Sequence, residues 1–384
     1  MRQLKLLEYA LSSLWRRRGK SFAILAVYTL MVAALASVLL LTGSLQGEAR
    51  LLLARAPELV VQKLSAGRHA LAPVAWAERI ADIPGVGGVE PRVWGYYYDA
   101  LTGANYTLSG VGETGGNSEL LWGRLPTGPG ECAVGRGVAD TRGLELEDDL
   151  ILIDGANLGV SLTVVGIFSA DSALLTNDLI VMERQSLARF FTMPPDAATD
   201  IAVRVRNPNE VDTVARKIKR ILPDSRPITR HEMVRTWDAV FNWRSGMLLS
   251  IFMAALLAFG VLAWDKATGI SAEERREIGI LKAIGWDTAD VLLLKFWEGM
   301  VLSLTAVLAG LLIAWVHVFF LGAPLLALVL KGWSVLFPAF DLVPRFAWQQ
   351  LLALVLFTSA PYVVATVIPS WRAASLDPDS VMRS

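Results

Sequence analysis

Four apolar runs limit what this chain can become. Phe22 to Leu41, Met247 to Trp264, Val291 to Phe320 and Leu351 to Ile368 are each long enough to cross a hydrocarbon core as a helix. The first is almost uninterrupted, with Thr29 and Ser37 as its weak polar positions, and the third is longer than a span needs, so it must tilt, project or bend. They account for a composition of 54% hydrophobic and only 19% charged residues, which is unusual for a soluble protein. The chain reads as an α-helical membrane protein with four transmembrane helices.

Four spans put both termini on one side, and the basic residues choose it. Arg2, Lys5, Arg16, Arg17, Arg18 and Lys20 precede the first span, Lys266, Arg275, Arg276 and Lys282 lie between the second and third, and Arg372 and Arg383 follow the fourth. The positive-inside rule makes all three regions cytoplasmic, with the domain between the first two spans outside. The loop between the third and fourth spans offers only Lys331 and Arg345, as an outer loop should. Trp15, Trp264, Trp286 and Trp371 fall near the inner interface, and Trp243 and Trp348 near the outer one. The first run exceeds a typical signal core and Thr42-Gly43-Ser44 is a poor cleavage site, so it is read as a retained anchor.

The layout divides the chain into residues 1–42, a cytoplasmic segment and first span; residues 43–245, an outer domain; and residues 246–384, the remaining spans with the insert between them. The outer domain is mixed α+β. Glu58 to Leu64, Val89 to Asp99 and Leu162 to Phe168 read as strands, with a helix from Pro73 to Asp82 ended by Ile83-Pro84-Gly85. Ile201, Val203 and Val205 alternate with Arg204 and Arg206 as in a half-buried strand. A helix follows with Asn207 as cap, Pro208 first, Glu210 third, and Val211, Val214, Ala215, Ile218 and Leu222 on one face. Gly123 to Asp154 is rich in glycine and acidic residues. Its Gly128-Pro129-Gly130 and Gly135-Arg136-Gly137 clusters read as turns, and Glu145, Glu147, Asp148 and Asp149 as a solvated turn without EF-hand spacing.

Between the second and third spans lies Ser271 to Trp286, SAEERREIGILKAIGW, a charged segment shaped as a short helix. Ser271 and Glu274 form a capping box, Glu273 joins Glu274 in the first turn where the helix dipole favours anions, and Lys282 occupies the last turn. Gly285 supplies the left-handed stop. Such a helix is too short and too charged to span a bilayer, so it lies at the membrane surface.

Signs of catalysis are scarce. His69, His231 and His317 are far apart with no His or Cys at ligand spacing, no GxSxG elbow occurs, and Cys132, the only cysteine, has no partner for a disulfide or a catalytic pair. Gly19-Lys20-Ser21 resembles the end of a phosphate loop, but Leu14 stands where that loop needs glycine, so no nucleotide or other cofactor is expected on this chain. Zero formal net charge leaves no basic face for nucleic acid. Within the spans, Glu298 is placed to pair with Lys295, His317 reads as a packing residue, and Ala254, Ala255, Ala258 and Gly260 permit close helix packing.

SAEERREIGILKAIGW between two spans resembles the signature of FtsX-like ABC transporter permeases, a group that includes the MacB macrolide exporter, lipoprotein-releasing permeases and haem exporters. The ending Pro369-Ser370-Trp371-Arg372-Ala373-Ala374-Ser375-Leu376-Asp377-Pro378 is similar too, as is the layout of one span, an outer domain and three further spans. Leu121-Trp122-Gly123-Arg124-Leu125-Pro126, followed by Glu131, Val134-Gly135, Leu144 and Val165-Gly166-Ile167, resembles a MacB-type periplasmic core domain.

The resemblance implies a homodimer in a bacterial inner membrane, bound to two copies of an ABC ATPase that supplies ATP and magnesium, with a membrane-fusion protein or other periplasmic partner as a further possibility. It makes the charged helix a coupling helix, with Ser271, Glu273, Glu274, Arg275, Arg276, Glu277, Lys282 and Gly285 as the coupling residues. Ile278, Leu281 and Ile284 would face the membrane or the spans. MacB carries a fused N-terminal ATPase, whereas about twenty residues precede the first span here, so a separate ATPase chain is expected. The implied function is export or extraction of a hydrophobic or amphiphilic substrate by mechanotransmission. The alternative is signalling to an outer partner such as a cell-wall hydrolase.

Overall fold

The computed structural model describes residues 2–111, 120–168, 176–268, 272–326, 344 and 348–374. Ser271, Lys331, Arg345 and the motif residues Ser375 to Pro378 lie outside the described residues. Helices α1 (Arg2–Arg16) and α2 (Arg18–Arg55) lead to β1 (Leu59–Ser65), β2 (Arg68–Ala70), β3 (Ala72–Pro73) and α3 (Trp76–Ala81). Strands β4 (Val86–Arg92), β5 (Trp94–Asp99), β6 (Ala104–Gly110), β7 (Leu120–Gly123) and β8 (Glu131–Val134) precede α4 (Arg136–Arg142). Next come β9 (Asp149–Ile153), β10 (Gly159–Phe168), β11 (Leu179–Met182), α5 (Arg184–Phe190), β12 (Ala197–Ala198) and β13 (Asp200–Val205). Helix α6 (Val211–Ile221), β14 (Ser225–Thr229), α7 (Arg230–Thr268), α8 (Ala272–Ala283), α9 (Thr288–Trp315) and α10 (Trp348–Ala374) complete the order. The chain forms two compact units, one of Met1–Ser44, Asn242–Leu326 and Pro344–Ser384, the other of Leu45–Phe241 and Ala327–Val343.

In the helical unit, α2, α7, α9 and α10 are long and apolar enough to cross a membrane. Small residues let α2, α9 and α10 approach closely. A Cβ on Gly310 would stand 2.8 Å from Val32, and one on Gly299 2.8 Å from the Thr366 hydroxyl. The Tyr28 hydroxyl of α2 donates to the Thr358 carbonyl of α10 at 2.6 Å, and its ring stacks on Tyr362 with centroids 5.2 Å apart. Lys295 does pair with Glu298, at 2.7 Å. The long third run bends its hydrogen bonding, because α9 passes into a π turn at Val316–Phe320. Inside that turn His317 Nδ1 meets Ser37 Oγ at 3.1 Å, a packing contact between spans. More than half of the α2 span is buried, against 12% for α7.

The outer unit holds two main sheets. The first runs β14-β1-β13-β4 with β2 on the end of β1; the second runs β5-β6-β11-β8-β10-β7, with β9 also on β10. The expected strand Val89 to Asp99 is in fact β4 and β5 in different sheets, with Val93 between them at 1% exposure in the second core. Alternation carries straight through such a switch, so periodicity alone reads one strand. The helix expected from Pro73 is shorter, Trp76–Ala81, because Ala72–Pro73 pairs with β12. On α6 the expected face is right, with Val214 and Ile218 buried, though Pro208–Glu210 winds as a 3₁₀ turn whose Asn207 side chain accepts from Asn209 N.

The two sheets are tied at Asp200 of β13: the Trp94 indole of β5 donates to its carboxylate at 3.0 Å, while Arg92 of the neighbouring β4 holds it through Nε at 2.7 Å and Nη2 at 2.8 Å. Asp200 is 2% exposed and Arg92 15%. Removing one partner of such a pair leaves the other charge buried, at a cost of about 3–5 kcal/mol. Asp200→Ala is therefore expected to lower outer-unit stability by about that amount, read in urea unfolding followed by tryptophan fluorescence. A loss within error would make the pair dispensable.

Sheet edges are also managed. Strand β9 is an edge, and its outward backbone groups are taken by side chains: Ile153 N donates to the Tyr97 hydroxyl at 3.1 Å and Arg142 donates to the Ile151 carbonyl at 3.4 Å. Arg142 also holds Asp99 at the end of β5, so the two ends of the second sheet are drawn together.

Where the sheet unit meets its helices, both enter on neighbouring strands. Helix α2 ends four residues before β1, α7 follows β14 directly, and Leu59 pairs with Thr229. Arg230 holds Glu58 at 2.9 Å and the Ala56 carbonyl, and Arg50 holds Asp238 at 3.0 Å.

Candidate functional site

Helix α8 is built as its sequence requires. It ends at Ala283, and Gly285 takes φ +96°, the left-handed conformation that glycine adopts without strain. Gly285 N then bonds to the Lys282 carbonyl and Trp286 N to the Leu281 carbonyl, both at 3.0 Å, a Schellman-type closure. Helix α9 begins at Thr288, five residues after α8 ends.

One face of α8 is seated. Leu281 is 6% exposed and packs with Ala10 of α1 and Leu294 of α9, beside Tyr9, Trp286 and Trp297, while Ile278 packs on Val291. Tyr9 and Trp286 rings lie 5.7 Å apart, and the Trp297 indole donates to Gln3 at 3.1 Å. The opposite face is open. Ile280 is 54% exposed and Ile284 68%. Ile284, expected with Ile278 and Leu281 to face the membrane or the spans, makes no such burial within the chain and is exposed beside Ile280.

The structure thus adds two residues that charge patterning passed over, Ile280 and Ile284. It also adds α1, a helix within residues read only as a basic leader. Its signal was present, because Leu6 and Ala10 recur at helical spacing with Ser13 after them, and all three are buried. The backbone of residues 272–277 is helical, which places Glu273, Glu274, Arg275, Arg276 and Glu277 on α8.

The outer motif has a physical account as well. Gly123 has φ +81°, and a Cβ there would lie 2.2 Å from the Val165 carbonyl oxygen; one on Gly166 would lie 2.3 Å from that of Arg124. Strands β7 and β10 therefore cross with their backbones in contact, which only glycine permits. Arg124 then grips Glu131 with both nitrogens, at 2.8 and 2.5 Å, and Thr127 N adds a bond at 2.9 Å. The Arg124 guanidinium first, and that backbone N–H second, hold the Glu131 carboxyl down to about 2. Arg136 covers the Trp122 ring at 5.5 Å.

Gly123 to Asp154, read as a run of turns, also contains β8, α4 and β9. Gly135 and Gly137 are not turn glycines. A Cβ on Gly135 would fall 1.7 Å from the Thr176 carbonyl oxygen, and one on Gly137 2.4 Å from the Asn177 side chain. The acidic stretch is a solvated turn, with Asp148 accepting from Glu145 N at 2.8 Å.

Reactive groups are withdrawn from solvent. Burial pushes the Cys132 thiol up to about 12, leaving no thiolate near neutrality. Burial also raises the Asp178 carboxyl against the opposing hydrogen bond from Thr107. Among the described residues, no group of three or more His, Cys, Asp or Glu side chains is placed to hold a metal ion.

The fold is that of a membrane protein whose mixed α/β domain is inserted after the first of four span-length helices, with a short charged helix between the second and third. Family models match nearly the whole chain: the MacB-like periplasmic core domain over residues 21–221 and the FtsX-like permease C-terminal region over residues 247–378. The chain belongs to this family of ABC transporter permeases.

It is 25% identical over 196 residues to the uncharacterized ABC transporter permease MJ1507 of Methanocaldococcus jannaschii, covering 48% of this chain and 45% of that protein. It is 22% identical over 232 residues to the uncharacterized ABC transporter permease YknZ of Bacillus subtilis, covering 59% of this chain and 55% of that one. The chain thus spans about half the length of these curated relatives. Among solved structures, the periplasmic region of MacB from Actinobacillus actinomycetemcomitans aligns at 14% identity with a TM-score of 0.35, covering 46% of this chain and 91% of that one.

Proposed function

We propose that this chain is the permease subunit of an ABC transporter complex, coupling ATP hydrolysis by a partner ATPase to movement of its outer domain for export or extraction of a hydrophobic or amphiphilic substrate. The observation that carries this reading is α8: a capped helix between two spans, with Ile278 and Leu281 seated and Ile280 and Ile284 open. Ser271, Glu273, Glu274, Arg275, Arg276, Glu277, Lys282 and Gly285 remain the proposed coupling set, to which the open isoleucines are added. A partner groove would take the two isoleucines as apolar anchors and meet the charges at its rim.

ATP and magnesium are bound by the partner in this reading, with the termini and α8 in the cytoplasm and residues 43–245 outside an inner membrane. A homodimer is supported by α7, whose span is 12% buried and whose Gly246, Ser250, Ala254 and Ala258 recur every fourth residue. Two copies would bring two ATPases together.

Reconstitution of the complex tests the reading. ATP hydrolysis that rises with an amphiphilic substrate, together with transfer of that substrate out of the membrane, is the expected result. Nucleotide-dependent activation of an outer protein partner, with hydrolysis indifferent to every amphiphile, would replace transport by signalling.

A further inference from the structure

Helix α1 has two faces of different character. Leu6, Ala10 and Ser13 form its buried face, with Ala10 packed on Leu281 of α8 and Leu294 of α9. The other side carries Leu11 at 49% exposure and Trp15 at 75%, with Leu7 and Leu14 half-buried beside them. Arg16 ends this helix, Arg17 follows it, and Arg18 and Lys20 open α2 before the first apolar run.

The chain bends between α1 and α2. Ser21 Oγ donates to the Leu14 carbonyl at 3.3 Å, although seven residues of straight helix would separate the two backbones by about 10 Å. A bend at Arg17 therefore turns α1 away from the axis of the span. A helix leaving a membrane span at an angle, apolar on its open side and basic at the bend, has the build of one lying in a lipid headgroup layer.

We propose that α1 is a binding element for anionic lipid. Leu11 and Trp15 enter the bilayer surface, and Arg18 and Lys20 hold headgroup phosphates at the bend, with Arg16, whose guanidinium lies 5.5 Å from the Tyr9 ring centroid, adding its charge beside them. The charge at the bend has a single sign, which distinguishes this surface from α8, where Glu273, Glu274 and Glu277 offset Arg275, Arg276 and Lys282. Charge of one sign beside an apolar strip selects a negatively charged membrane. Because the other face of α1 carries Ala10 against Leu281, lipid held on one side fixes the seat of α8 on the other. This holds whatever α8 itself binds.

The test uses the full chain with Leu11→Cys bearing an environment-sensitive fluorophore; Cys132 is fully buried, so labelling is selective. The protein is placed in phosphatidylcholine vesicles with and without phosphatidylglycerol. The expected result is a blue shift that grows with the phosphatidylglycerol fraction and fades at high salt. Changing Arg16, Arg18 and Lys20 to glutamine should weaken it by about fivefold per side chain, and changing Arg16 and Arg18 to lysine should preserve it. Equal emission in both vesicle types, or a glutamine variant that responds like the parent, would overturn the proposal. So would emission that stays water-like in both.

Discussion

Gly135→Ala leaves the outer unit unable to fold. A methyl group at this position would meet the Thr176 carbonyl oxygen at 1.7 Å and the Asn177 carbonyl oxygen at 2.7 Å, and both contacts are with backbone. No rotamer change relieves them. The local backbone is ordinary, with φ −68°, so the requirement comes from space and not from conformational freedom. Shifting either segment breaks the bonds from Gly135 N to the Leu179 carbonyl at 2.7 Å and from Val138 N to the Asn177 carbonyl at 3.1 Å, and those bonds fix β8 to β11 and start α4. The expected loss exceeds about 4 kcal/mol, beyond what an ordinary point substitution costs. Limited proteolysis of the full chain should show the domain digested while the spans persist. Gly128→Ala is the matching control, since nothing lies within 4 Å of its Cβ, and it should unfold like the parent. A Gly135→Ala protein as resistant as that control would refute the close crossing.

The second large effect is expected at α8. Ile280→Asp with Ile284→Asp should abolish binding of the ATPase while leaving the permease folded, because both side chains point away from α1 and α9. An isoleucine buried at an interface contributes about 1.5–3 kcal/mol, so losing two weakens binding by roughly 100-fold or more. Leu281→Pro should fail differently, by breaking the helix and its seat on Ala10 and Leu294, at about 3 kcal/mol or more. Charge reversal at Arg275 and Arg276 is expected to uncouple hydrolysis from the outer domain with a smaller effect on assembly, as rim charges do. Co-purification and ATPase assays separate the three. Normal assembly and coupling in the isoleucine double variant would remove α8 from the coupling role.

The span-length helices, the mixed α/β domain and the short helix between the second and third spans were legible because each rests on signals confined to one stretch of chain: apolar length, strand alternation and a glycine stop. Gly285 could be placed from its position after Lys282, and its positive φ follows from that. What sequence reading missed depends on residues distant in the chain. The role of Gly135 is set by Thr176, and the break at Val93 by the choice of different sheets for β4 and β5. In the outer motif, Gly123 and Gly166 could be seen as a pattern, but the reason for them, two backbones in contact, appears only in three dimensions.

The entry of α2 and α7 on the paired strands β1 and β14 has a mechanical consequence. Both helices attach at the same end of an antiparallel ladder, where Leu59 faces Thr229. Sliding one helix along its length against the other loads every rung from Leu59–Thr229 to Lys63–Ser225 together, a shear that the ladder resists as a whole. Splaying the helices apart loads the rungs one at a time, as a zipper opens. The ion pairs Arg230–Glu58 and Arg50–Asp238 stand at the mouth of that zipper. The joint is therefore stiff to thrust and weak to peeling, and it is reinforced where peeling would begin.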